Sequence, residues 1–182
     1  MKNNTVKTFV AIGIGAALFF VLGRFVAIPS PIANTNISLQ YAVLGLLAAM
    51  YGPVAGGLIG FIGHTLIDLS WGGAPWWSWV LSSALVGVIV GLFAKKMNIQ
   101  EGEFGKKEGI TFAISNVIAH VAAWCVLAPV LDILIYQEPV KKVFTQGVFA
   151  AIVNTLTAVI VGGLLIVAFT KTVAKKGSLD KE

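Results

Sequence analysis

Charge is what this chain has least of. Only 12% of its 182 residues are Asp, Glu, Lys or Arg, against about a quarter in an ordinary soluble domain. By contrast 57% are hydrophobic and the mean hydropathy is +0.88. So few charges exclude a soluble globular domain and imply a chain embedded in the lipid bilayer, where an ionisable group is costly enough to mark a pathway or a binding site. Cysteine is nearly absent: Cys125 stands alone, no intramolecular disulfide can form, and its apolar setting suits a small buried hydrophobe. Also missing are a G-x-x-x-x-G-K-[ST] loop and any strand running into a Gly-rich phosphate loop, so the chain cannot drive uphill transport by hydrolysing ATP itself. There is no Gly-x-Ser-x-Gly elbow. His64, His120 and Asp68 lack the third strong ligand a tight metal site wants, because Cys125 falls off the face of His120. No metal and no cofactor is expected. The net charge of +5 needs no nucleic acid as a partner, since basic loops facing anionic lipid explain it.

What is present is a series of long apolar segments, enough for one membrane domain over residues 1–182. The pattern predicts an all-α membrane protein, a compact bundle of six transmembrane helices at about 6–28, 39–51, 54–69, 76–94, 109–135 and 144–170. The first stops at Pro29-Ser30-Pro31; it is too long for a signal peptide and lacks a cleavage site, so it is expected to stay in the mature protein. The second and third are short, and joining them across Gly52-Pro53 would leave five spans. Lysine decides for six. With six, Lys2, Lys7, Lys95, Lys96, Lys106, Lys107, Lys171, Lys175, Lys176 and Lys181 share one side, leaving Arg24, Lys141 and Lys142 on the other. Basic residues accumulate inside, so both termini are expected to be cytoplasmic.

That topology sorts the polar residues by depth. Arg24, Gln40, Tyr41, His64 and Asp68 fall toward the outer side, with Trp71, Trp76, Trp77 and Trp79 beside them. On the fifth segment Asn116, His120 and Trp124 recur at four-residue spacing and share a face, and Asn154 is the polar group of the sixth. The inner halves are apolar or small. Such asymmetry suits a site open outward and closed below; a channel would need polar lining at every depth. Each residue also has a plainer reading. The tryptophans could form an interfacial belt, His64 with Asp68 could be a structural i,i+4 pair, Asn116 with His120 could link helices, and Arg24 could snorkel to the head groups or neutralise Asp68. The inner half of the first segment pairs small residues at Ala11/Gly15 and Gly13/Ala17, a spacing that permits close helix contact.

The stretches Arg24-Phe25-Val26-Ala27-Ile28-Pro29-Ser30-Pro31, Asn34-Thr35-Asn36-Ile37-Ser38-Leu39-Gln40-Tyr41, Gly60-Phe61-Ile62-Gly63-His64 and Pro75-Trp76-Trp77-Ser78-Trp79, with six helices in under 200 residues, resemble the substrate-binding S components of energy-coupling factor (ECF) vitamin transporters. The resemblance implies a multi-pass protein of the cell membrane that captures a vitamin or precursor from outside, with the first loop as lid. It also implies docking through the small residues of the first helix, here Ala11, Gly13, Gly15 and Ala17, onto a transmembrane T component joined to two cytoplasmic ATPases. In the family the small-residue repeat commonly runs longer, whereas here Phe19 interrupts it after Gly15.

Taken together, the residues predict a pocket in which a small flat heterocycle, a hydroxymethylpyrimidine-like or pyridoxine-like compound, stacks on Trp79 or Trp124. Gln40, Tyr41, His64, Asp68, Asn116, His120 and Asn154 would orient it, and Asn34 and Asn36 would close over it. One carboxylate with one arginine suits a neutral or weakly charged ligand. An intramembrane enzyme using His64, Asp68 and His120, or a stand-alone secondary transporter, is the alternative.

Overall fold

The computed structural model describes residues 5–173. Its six helices are α1 (Thr5–Phe25), α2 (Gln40–Tyr51), α3 (Pro53–Ser70), α4 (Trp77–Leu92), α5 (Lys106–Tyr136) and α6 (Val140–Thr172). Five are long and apolar enough to cross a membrane, and α2 is a shorter apolar helix. α1 ends at Phe25, short of Ile28, because prolines at 29 and 31 push the residue before each out of the helical region. The chain instead forms a hairpin that the all-α expectation did not include. β1 (Ile28–Pro29) pairs antiparallel with β2 (Asn36–Ile37), Ile28 opposite Ile37.

Successive helices run in opposite directions. Gly15 of α1 faces Leu47 of α2 while Gly23 faces Gln40, Gly56 of α3 meets Gly87 of α4 while Gly60 meets Ser83, and Gly162 of α6 faces Phe112 of α5 while Gly147 faces Trp124. Both ends of the described chain therefore lie at one end of the bundle, together with the α2–α3 and α4–α5 turns. Lys7, Lys95, Lys96, Lys106, Lys107 and Lys171 gather there, and Arg24, Lys141 and Lys142 lie at the other. Lys2, Lys175, Lys176 and Lys181 fall outside the described residues.

α2 explains the shape of the bundle. Its 12 residues span about 18 Å, well short of the roughly 30 Å hydrocarbon core, yet most of it is buried, from Gln40 and Tyr41 to Ala49 and Met50. It is a core helix walled in by the others. At its lower end Gly52 takes a left-handed φ of 89° that Pro53 follows, and the open carbonyl of Met50 accepts a hydrogen bond from Gln100 Nε2 at 2.5 Å. Met97 and Ile99 of the α4–α5 loop tuck under the same end and are buried. At its upper end α2 stops early, which leaves room for a cavity.

α3 and α4 meet backbone to backbone. A Cβ on Gly56 would collide with Gly87 O and one on Gly60 with Ser83 O, and one on Gly91 would lie 2.5 Å from Pro53 Cα. In lipid the hydrophobic effect does not drive helices together, so this close contact and its dispersion energy do. α5 contains a wide π turn over Val121–Leu127, just before Pro129, and α6 one over Ala158–Gly162. The proline lacks an N–H for the α-helical ladder, and a wide turn beside it accommodates that gap.

α1 corrects an expectation about its small residues. Ala11 and Gly15 point into the bundle with Ile12, Ala16 and Phe19, and a Cβ on Gly15 would sit 2.6 Å from Leu47 Cδ1 and 2.7 Å from Ile59 Cδ1. Both are buried, and Gly15 serves the seam between α1, α2 and α3. Gly13 and Ala17 face outward among Phe9, Val10, Ile14 and Leu18, and nothing lies within 4 Å of a Cβ on Gly13.

Gly87→Leu is predicted to lower the apparent Tm in detergent by about 10 °C or to abolish monodisperse protein, since it collides with rigid backbone. Gly13→Leu should leave Tm and yield unchanged, and equal effects of the two on a thermal-stability assay would contradict this packing.

Candidate substrate-binding site

At the end of the bundle away from the termini, all six helices and the β1–β2 hairpin surround a cavity of about 500 Å³. That is within the usual range for small-molecule sites. Gln40 and Tyr41, at the upper end of α2, form its floor. Gly23 makes this possible, because a Cβ there would collide with Gln40 Oε1. Ser38 fixes the glutamine by donating to its Oε1 at 3.1 Å and accepting its backbone N–H at 3.1 Å.

The hairpin roofs the cavity with Asn34, Thr35, Asn36 and Ser38. Its conformation is held locally by Ser30 Oγ and Thr35 Oγ1, 2.5 Å apart, and by donation from Thr35 Oγ1 to Ile32 O at 2.6 Å. Asn34 takes a left-handed φ of 58°, which asparagine tolerates better than most residues. The hairpin is moored to α6 by one bond, Gln146 Nε2 donating to Ala33 O at 2.8 Å.

One wall is aromatic and is built on Asp132. This carboxylate accepts from Trp76 Nε1 at 2.7 Å, from Trp79 Nε1 at 3.1 Å and from Ser78 Oγ. Trp76 also stacks on Tyr136 with ring centroids 3.9 Å apart, and the Tyr136 hydroxyl accepts the Trp77 N–H at 2.9 Å. The start of α4 is thereby tied to the end of α5. Asp68 performs the matching task from α3, its Oδ2 accepting the Trp76 backbone N–H at 2.8 Å. Beneath it, Ser83 Oγ bridges His64 Nδ1 at 2.6 Å and Tyr41 Oη at 2.8 Å, so α2, α3 and α4 share one polar knot.

Of the residues expected at the site, Asn34, Asn36, Gln40, Tyr41, His64, Asp68, Trp79 and Asn154 line the cavity. Asn116, His120 and Trp124 do not. They are fully buried one layer deeper, and Tyr41 packs edge-on against both His120 and Trp124, at 5.2 and 5.6 Å between centroids. The four-residue spacing does place them on one face, with Trp124 Nε1 donating to His120 Nδ1 at 2.9 Å. That face packs into the core, His120 and Trp124 against Tyr41 and Asn116 beside Gly45. Trp79 meets Trp124 at 5.1 Å, so only the outer of the two expected stacking surfaces is open. His120 Nε2 and Asn116 Oδ1 make no hydrogen bond among the described residues. Arg24 does not neutralise Asp68; its guanidinium lies 3.7 Å from the centre of the Trp71 ring, clamping the α3–α4 turn onto α1.

Sequence reasoning missed Asp132, Glu138, Lys142 and Gln146, all on the cavity lining. Asp132 had a signal: it is a lone carboxylate inside the apolar run Val130-Leu131-Asp132-Ile133-Leu134, the kind of residue a bilayer permits only with partners. Among the described residues no three His, Cys, Asp or Glu side chains group as metal ligands do.

Residues 3–171 match the family described as ECF-type riboflavin transporter, S component. Curated relatives include a UPF0397 protein of Lactococcus lactis subsp. cremoris (strain NZ9000), 54% identical over the whole of both chains, and one of Enterococcus faecalis, 51% identical over 100% of this chain and 99% of its own. A UPF0397 protein of Streptococcus agalactiae is 50% identical over both full lengths. Among solved structures, ThiT from Listeria monocytogenes superposes with a TM-score of 0.68 over 93% of this chain and 96% of its own, at 20% identity. The fold is shared at that distance.

Asp132→Ala strands three donors and is predicted to cost about 3 kcal/mol of stability. It should also red-shift tryptophan emission as Trp76 and Trp79 loosen, with Asp132→Asn intermediate; unchanged emission in the alanine variant would show that Asp132 does not hold the wall.

Proposed function

The chain belongs to the S-component family of ECF-type transporters, multi-pass proteins of the cell membrane, and on that premise we propose that it captures a hydroxymethylpyrimidine-like or pyridoxine-like vitamin precursor from outside the cell. The observation that carries this reading is the cavity, which is walled by indole rings, floored by Gln40 and Tyr41, and does not continue below them. A compound that enters cannot leave inward without a rearrangement of the whole bundle. That is what a capture subunit needs and what a channel lacks.

The lysine-rich end is assigned to the cytoplasm by the usual bias of basic residues, which puts the cavity outside. The β1–β2 hairpin acts as the lid, since a single bond from Gln146 moors it to α6. Asn34, Asn36, Gln40, Tyr41, His64, Asp68, Trp79 and Asn154 contact the ligand, while Asn116, His120 and Trp124 support Tyr41 and Trp79 from below. Energy comes from a T component and two cytoplasmic ATPases. The face offered to the T component is the outward strip of α1 at Gly13 and Ala17, where a partner helix could approach closely.

Two measurements test this. Titrating purified protein with pyrimidine, pyridine, thiamine, riboflavin and biotin-type compounds should quench its tryptophans saturably for a pyrimidine or pyridine compound, with binding at least about tenfold weaker in Trp79→Ala. Saturation by riboflavin instead would replace the ligand and keep the capture role. Ala17→Leu should abolish uptake by cells and co-purification of the T component while ligand binding by the isolated subunit is unchanged; normal uptake would remove α1 as the docking face.

A further inference from the structure

The cavity lining is acidic in a way the sequence did not disclose. It carries three carboxylates, Asp68, Asp132 and Glu138, against the single ammonium of Lys142. Two of the carboxylates already have partners. Lys142 Nζ lies 2.7 Å from Glu138 Oε2, and Asp132 takes its two indoles and a serine. Asp68 is different. Its Oδ2 accepts one backbone N–H, but its Oδ1 is 3.7 Å from His64 Nε2, beyond hydrogen-bond reach. A carboxylate can accept about four hydrogen bonds, so Asp68 faces the cavity with most of its capacity unused.

A second group points the same way. Asn154 lines the same cavity, and its side-chain amide, which enters none of the hydrogen bonds found among the described residues, keeps its polar atoms open to that space. Arg24 and Lys141, the other cations of this end, are not on the lining, and Arg24 is stacked on Trp71. Among the described residues, nothing on the lining offers an unpaired positive charge.

We infer that the ligand is a non-anionic heteroaromatic compound bearing a protonated or N–H-donating nitrogen, that this nitrogen binds Asp68 Oδ1 while Asn154 pairs with a second polar edge, and that the cavity rejects phosphorylated and carboxylated forms. This rests on the capture reading above and narrows it. A donor on Asp68 makes a charge-assisted bond, and the indole faces of the wall favour a ring carrying positive charge. An anion would meet an excess of negative charge with no free partner, a repulsive element that discriminates by itself.

The test uses probes matched in shape on the purified full chain, read by tryptophan quenching: 4-amino-5-hydroxymethyl-2-methylpyrimidine, its 4-methoxy analogue, which has no N–H to donate, and its phosphate ester. The amine should bind at least about tenfold tighter than the methoxy analogue, and the phosphate ester about a hundredfold more weakly than its parent. Asp68→Asn should shrink the amine preference to within about threefold, and its amide oxygen can still accept the Trp76 N–H. The wild-type comparison stands even if that variant fails to fold. Equal binding of amine and methoxy forms, tight binding of the phosphate ester, or an undiminished preference in Asp68→Asn overturns the inference. Saturable riboflavin binding indifferent to Asp68→Asn overturns it while leaving the capture role intact, and binding of none of these compounds by the wild type overturns both.

Discussion

The cavity stands where it does because α3 and α4 touch through their backbones. Gly56, Gly60, Gly87 and Gly91 present no side chain at the seam, and the close approach they allow sets the register of every polar group above it. Gly60 against Ser83 brings the Ser83 hydroxyl under His64 and Tyr41. The same register puts Asp68 at the end of α3 within 2.8 Å of the Trp76 amide at the start of α4. In a bilayer, where apolar surface gains nothing from being hidden from lipid, close packing and satisfied polar groups are the available glue. Here the two coincide.

Above that seam the polar residues divide by what they lack. Asp132, Ser78 and Tyr136 are occupied with one another and with the indoles, so they hold the wall in shape. Asp68, His64 and Asn154 keep unused capacity on the cavity side, and these are the groups a ligand can complete. Below, His120 is sealed in by Tyr41, and Asn116 is buried deeper beside Gly45. The site is thus a preorganised layer on a core that is closely packed beneath it among the described residues, and in the proposed role inward release falls to partners acting on the outside of the bundle.

Much of this is legible in the sequence. His64 and Asp68 are four residues apart on a helix whose other polar groups are few, and Gln40 and Tyr41 open a helix after a polar loop; both pairs reach the cavity. The tryptophans near residue 76 are visible too, but not their shared acceptor. Asp132 lies more than 50 residues away in sequence and comes to them only because α4 and α5 are antiparallel neighbours. Asn116, His120 and Trp124 misled because helical spacing says which residues share a face without saying what that face meets. Ala11 and Gly15 misled for the same reason: a small-residue pair marks close packing, and only the bundle shows whether the neighbour is Leu47 of this chain or a helix of another.

By itself the sequence determined that the chain lives in a membrane, that it forms six helices with Lys7, Lys95, Lys96, Lys106, Lys107 and Lys171 at one end, and that its polar residues concentrate at the other. Composition and periodicity are local properties, and a bilayer punishes their violation strongly enough to make them reliable. The tertiary structure alone decided which carboxylates are spent and which are open, that Arg24 caps Trp71 and leaves the cavity without a free cation among the described residues, and which strip of α1 is outward. Those outcomes depend on distances between residues far apart in the chain. No periodicity encodes them, because hydrogen-bond saturation and charge balance are settled only when the helices have packed.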